Sequence, residues 1–112
     1  MKTDRELLEL AAKAAGISNL RGADSTHHCY YLRYDETPVR WNPLTDDGDC
    51  ARLEATLSLN VSWYPAMVLV GTEISTPASP ACAEYFDQHN GDKNAARRRA
   101  STRAAADIGA SL

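Results

Sequence analysis

The stretch Trp41-Asn42-Pro43-Leu44-Thr45-Asp46-Asp47-Gly48-Asp49 joins two patterns of different period. Before it, Val39 and Trp41 alternate with Arg40, the period of two that marks a strand. After it, Cys50, Leu53 and Leu57 recur at helical spacing. Pro43 has no amide N–H to give a ladder, so the strand must stop there. Thr45 is then expected to cap a helix over about 46–58, with Asp46, Asp47 and Asp49 in its first turn, where carboxylates complement the helix dipole. Asn60 is expected to end it. A strand that becomes a helix within one short corner points to an α+β fold.

Upstream, Tyr30, Leu32 and Tyr34 alternate with Tyr31 and Arg33, predicting a hairpin of roughly 29–34 against 38–42 turned at Asp35-Glu36-Thr37. Tyr30, Tyr34 and Trp41 would then face the core, leaving Tyr31 and Arg33 on the outer side. Thr3 with Glu6 three residues later is a capping box. Leu7, Leu8, Ala11, Ala14 and Ala15 follow on one helical face, and Gly16 with Ile17 completes a C-terminal stop. The spacing predicts a helix over about 4–15.

Downstream, Val61–Tyr64 and Ala66–Gly71 read as strands, and Met67-Val68-Leu69-Val70 is apolar enough to be central. Thr72 to Ser75 either extends that strand or begins a loop, Thr76-Pro77-Ala78-Ser79-Pro80 is a loop, and residues 81–91 show no clear period. Asp92 is expected to cap a last helix of about 25 Å that Gly109 ends. The expected architecture is one domain over residues 1–112. It has three helices and a small, mainly antiparallel sheet of about four strands, with the helices in a single layer on one face.

A chain of 112 residues with 44% hydrophobic and 24% charged content is long enough for one core. Its net charge of −3 is uneven: residues 1–91 carry net −6 and residues 92–112 net +3. No export signal is evident and no apolar run approaches a membrane span, so a cytoplasmic setting without membrane contact is expected. Cys29, Cys50 and Cys82 cannot all pair within one chain and read as reduced, mostly buried thiols.

The chemistry-bearing constellations are weak. Asp47 and Asp49 have the alternation of a calcium loop, but the twelfth position from Asp47 is Ser58 rather than a carboxylate. His27-His28-Cys29 lacks the paired spacing of a zinc site, and adjacent strand residues point to opposite faces. Cys82 with His89 shows no third orienting group. No catalytic residue, metal or cofactor is therefore expected.

Interaction is the better reading. In the last helix Arg99 and Arg103 share a stripe, and Asp107 lies one turn further along it, in reach of Arg103. Ala96, Ala100, Ala104 and Ile108 form a second stripe of small side chains suited to close packing. The bland reading is a core-facing alanine stripe with solvated arginines. The functional reading is contact with phosphate or an acidic partner through Arg98, Arg99 and Arg103. Tyr31 with Arg33, and the acidic turn of Asp46, Asp47 and Asp49, are further candidate partner contacts.

The Trp41–Asp49 segment, the run Ala95-Ala96-Arg97-Arg98-Arg99-Ala100 continued by Arg103-Ala104-Ala105-Ala106-Asp107-Ile108-Gly109, and the opening Asp4–Ile17 together resemble a family of small, uncharacterised phage and prophage proteins. Members of that family carry two apolar residues where this chain has Ser101 and Thr102, a departure expected to weaken docking of the last helix. The resemblance implies a phage origin and a bacterial cytoplasm, and it carries over no site residues. The function expected is that of a non-enzymatic accessory protein that binds a host or phage protein, for instance an anti-CRISPR-type inhibitor of a host defence system. Association with nucleic acid through the basic last helix is the alternative.

Overall fold

In the computed structural model of this chain, which describes residues 2–23, 29–72 and 81–112, the first helix begins as its capping box requires. Thr3 Oγ1 accepts from Glu6 N at 3.2 Å while Glu6 Oε1 accepts from Thr3 N at 3.3 Å. The helix, α1, spans Asp4–Ala14. Its end is a Schellman motif: Gly16 N donates to Lys13 O and Ile17 N donates to Ala12 O. Gly16 sits at φ 83°, where a Cβ would be strained.

The hairpin forms from β1 (Tyr30–Leu32) and β2 (Pro38–Arg40), with Tyr31 opposite Val39. Trp41 faces the core as expected, but the two faces of β1 are the reverse of the expected ones. Trp41 N donates to Cys29 O, so Cys29, Tyr31, Val39 and Trp41 share the inner side. Cys29 and Trp41 are buried there and Tyr31 packs against them. Tyr34 lies in the turn, fully exposed, because the regular strand stops at Leu32. Pairing register decides which face every side chain takes, and alternation alone could not choose between them.

The Trp41–Asp49 corner folds back on itself. Asn42 Oδ1 accepts from Leu44 N, and the Asn42 carbonyl accepts from both Thr45 N and Asp46 N. That turn consumes Thr45, so Asp46 is the N-cap of α2 (Asp47–Leu57), accepting from Asp49 N at 2.8 Å. The helix ends at Ser58, left-handed at φ 54°, and Asn60 opens the next strand instead of closing the helix.

The remaining strands are β3 (Asn60–Trp63), β4 (Met67–Gly71) and β5 (Cys82–Tyr85), the last followed by a 3₁₀ turn at Phe86–His89. Residues 81–91 thus hold a strand and a turn too short to show a period. Among the described residues the strands form two small antiparallel sheets, β1-β2 and β3-β4-β5, in keeping with the expected mainly antiparallel α+β fold. The corner and α2 separate the two hairpins along the chain, and the two sheets stay separate. β4 is central, as its apolar run requires.

α3 (Lys93–Ala110) runs through the middle of the molecule. Ala96, Ala100 and Ala104 pack on Val68, Val70, Cys82 and Phe86 of the sheet side. Ala105 joins Leu8, Ala11, Ala12, Cys29, Trp41 and Leu53 in a second core on the other side. α1 and α2 pack on α3, which is the helix that lies broadly on β4 and β5. Asp92 caps α3 as expected, but Gly109 lies inside the helix, buried where α1 crosses it. Among the described residues no helix is long and apolar enough to cross a membrane. The loop expected at Thr76–Pro80 lies outside the described residues, as do Glu73–Ser75 and His27-His28.

Candidate interaction surfaces

α3 carries four arginines, and each is held by a partner within the chain. The Arg97 guanidinium makes a bidentate pair with Glu54. Arg98 donates to Asp47 Oδ1 at 2.7 Å and to the Leu44 carbonyl at 3.0 Å. Arg99 donates to Asp4 Oδ1 at 2.8 Å. Arg103 pairs with Glu84 and also donates to the Ala83 carbonyl. Asp107 therefore does not pair with Arg103; its Oδ2 accepts from Cys82 Sγ at 3.5 Å. The arginines are half-buried rather than solvated. They staple α3 to α1, α2 and β5.

Glu54 is the centre of a buried polar group. Ser101 Oγ, wholly buried, donates to Glu54 Oε2 at 2.6 Å, and Cys50 Sγ donates to the same oxygen at 3.6 Å. Burial pushes the Glu54 carboxyl up, yet the hydrogen bonds from Arg97 and Ser101 together with the Arg97 charge outweigh it and hold the group below its ordinary range. Thr102, equally buried, donates back to the Arg98 carbonyl at 2.7 Å. Ser101 and Thr102 are thus accommodated inside the docked face of α3. Their hydroxyls are satisfied inside it, and a satisfied polar group is tolerated in a core.

The acidic turn is likewise committed. Asp46 caps α2, Asp47 holds Arg98, and Asp49 is buried, accepting from Asn42 N at 2.9 Å and from Arg52 Nη2 at 2.7 Å. Tyr31 packs inward and Arg33 is exposed near the hairpin tip. The candidate residues named from sequence thus fall into separate places. Arg98 and Asp47 meet, and Tyr31, Arg33 and Asp49 line one cleft between the hairpin and α2. Arg99 and Arg103 line a different cleft of ≈ 450 Å³ between the start of α1, β5 and α3. There Glu84 is already bound by Arg103 and by His89 Nε2 at 2.7 Å.

The three thiols are buried and free. Burial, with the Asp49 charge, pushes Cys29 up to about 11. Burial and the Glu54 charge push Cys50 up to about 12, and burial and the Asp107 charge push Cys82 up to about 11. A thiol so raised is protonated at neutral pH and is a poor nucleophile. The folded state is therefore expected to lose stability in alkali. Below about 9 the thiols are protonated whether the chain is folded or not. Above it only the unfolded chain ionises freely, until the folded values are reached. Each pH unit in that window costs on the order of 1 kcal/mol per thiol. Thermal melting between pH 8 and pH 10 should fall less steeply for Cys50→Ala than for the wild type. Equal slopes would refute the assignment. Among the described residues no group of three or more His, Cys, Asp or Glu could hold a metal ion.

The surface with open apolar chemistry lies on the three-stranded sheet. Val61, Trp63, Val68, Val70, Cys82 and Glu84 share the face toward α3 by register. The opposite face carries Tyr64, Met67, Leu69, Ala83 and Tyr85. Tyr64 N donates to Met67 O and Met67 sits across from Tyr85, so these three form one row. Tyr64 is 50% exposed and Tyr85 47%, which leaves two aromatic rings flanking a methionine on the surface. The sequence names these aromatics without placing them, because the partner of each strand is fixed only by the fold. No protein-family profile matches this chain, and no curated protein or solved structure is significantly similar to it.

Proposed function

We propose that this protein acts by binding another protein rather than by catalysing a reaction. The observation that carries the reading is the Tyr64–Met67–Tyr85 row on the outer sheet face, where tyrosine and methionine are enriched as they are at interface centres. Two further features support it. The α3 arginines are engaged within the chain, which takes weight from a nucleic-acid contact through that helix. The thiols are buried and protonated, and Glu84 in the ≈ 450 Å³ cleft is already paired, so nucleophile and base are not brought together there. With the phage resemblance of its sequence, the protein reads as an accessory factor of the bacterial cytoplasm that blocks a host protein, of the anti-CRISPR or other anti-defence kind.

The tagged chain should recover one stoichiometric protein from host lysate, and the purified pair should bind independently of nuclease treatment. A Tyr64→Ser/Tyr85→Ser variant, which keeps both residues exposed and polar, should weaken that pair by about 30-fold or more, since truncating one hot-spot residue costs about 2 kcal/mol. Recovery of no stoichiometric partner would sink the reading. So would a partner indifferent to the double substitution. A complex that dissolves steeply with salt and requires nucleic acid would favour the nucleic-acid alternative instead.

A further inference from the structure

The two edges of the β3-β4-β5 sheet are not alike. Phe86 N donates to Ala66 O at 3.0 Å, so alternation along β5 turns the backbone groups of Ala83 and Tyr85 away from β4. That outer edge is guarded: Arg103 Nη1 donates to the Ala83 carbonyl at 2.9 Å. On the other side, Tyr64 N donates to Met67 O at 2.9 Å, so Asn60 and Ser62 face β4 while Val61 and Trp63 turn their N–H and C=O groups outward. Among the described residues no group pairs with them. The run Asn60-Val61-Ser62-Trp63-Tyr64 contains no charge, no proline and no lysine, the devices that usually keep an edge strand from pairing.

We propose that the protein is a two-fold homodimer joined through β3, paired antiparallel with β3 of a second copy and centred on Ser62. An edge of alternating free donors and acceptors selects an extended strand as its occupant, and this strand is complementary to itself. With the axis at Ser62, Val61 stands across from the partner's Trp63 and Trp63 across from the partner's Val61. Both are outward-facing positions, so each pair exchanges two hydrogen bonds. Both side chains lie on the α3 side of the sheet, which lays each indole beside a valine of the other copy. Trp63 is 50% exposed in the single chain, and the pairing gives that exposed half a cover. The two three-stranded sheets become one continuous antiparallel sheet, β5-β4-β3-β3-β4-β5, with both Tyr64–Met67–Tyr85 rows on its outer face.

The dimer is tested on the purified chain alone, so its outcome is separate from the search for a heterologous partner. Ser62 points to the outer face and would oppose Ser62 of the partner subunit across a close, non-hydrogen-bonded pair. Sedimentation of the wild type at high micromolar concentration should report a dimer. Ser62→Lys and Ser62→Glu should each weaken association at least ten-fold through like charges, and an equimolar mixture of the two should restore it. Val61→Pro, which removes an outward N–H that the folded chain does not use, should also give a monomer, with circular dichroism showing the fold intact. A monomeric wild type would overturn the proposal. A dimer that survives both Ser62→Lys and Val61→Pro would overturn it as well.

Discussion

Replacing Glu54 by alanine is expected to cost about 3–5 kcal/mol, the range for stranding one half of a buried ion pair. The Glu54 side chain is 11% exposed and that of Arg97 25%, so water cannot readily take the place of the lost carboxylate. Three donors lose their acceptor at once: the Arg97 guanidinium, the fully buried Ser101 hydroxyl and the Cys50 thiol. Glu54→Gln keeps the volume but removes the charge, and should cost roughly half as much, on the scale of a hydrogen bond to a charged group. Removing both members, as Glu54→Leu/Arg97→Met, should recover most of the loss, because apolar replacement of a buried pair is often neutral. The pH response follows from the lowered Glu54 carboxyl. Its stabilisation is present above the ordinary glutamate value and is lost as pH falls through the lower folded value. Urea unfolding of the four proteins at neutral pH decides the matter. A loss below about 1 kcal/mol for Glu54→Ala would show that the pair contributes no more than a surface salt bridge.

That pair also marks the boundary of what could be read in advance. The capping box at Thr3 and Glu6, the stop at Gly16, the strand-to-helix corner at Pro43 and the cap at Asp92 all depend on neighbours a few residues apart, and each stands in the fold. Glu54 and Arg97 are 43 residues apart in sequence, and Arg99 reaches Asp4 across 95. No local pattern announces such partners, so arginines that turn out to staple three elements together looked like a free basic surface. The same limit explains Tyr31 and Tyr34. Alternation shows that two faces exist, while the inner face is chosen by the Cys29–Trp41 pairing with α1 and α2. The Tyr64–Met67–Tyr85 row needs the order β3-β4-β5 before its members become neighbours. Residue types were legible, and their company was not.

Gly109 sets two opposing effects against each other within a single methyl group. Inside a helix, glycine to alanine gains about 1 kcal/mol through reduced backbone entropy. At Gly109, however, a Cβ would lie 1.9 Å from the Leu10 carbonyl oxygen and 2.8 Å from its carbon. These are backbone atoms of α1, which cannot swing aside as a side chain could. The whole α1–α3 crossing would have to open, and with it the core of Leu8, Ala11, Ala12 and Ala105. Overpacking of this kind costs about 1–3 kcal/mol and more where backbone must move. The clash should therefore win, leaving Gly109→Ala about 3 kcal/mol less stable, a fall in Tm on the order of 10 °C. Gly48 in the first turn of α2 supplies the control. There the added Cβ meets only Arg52 and Asp46 side-chain ends, at 3.2 Å or more. Because one of those ends is the Asp46 oxygen that caps α2, the helix gain is partly offset, and Gly48→Ala should change stability by no more than about 1 kcal/mol. Equal responses at the two sites would mean that α1 does not approach α3 as closely as the fold requires, and that residue 109 is a glycine for some other reason.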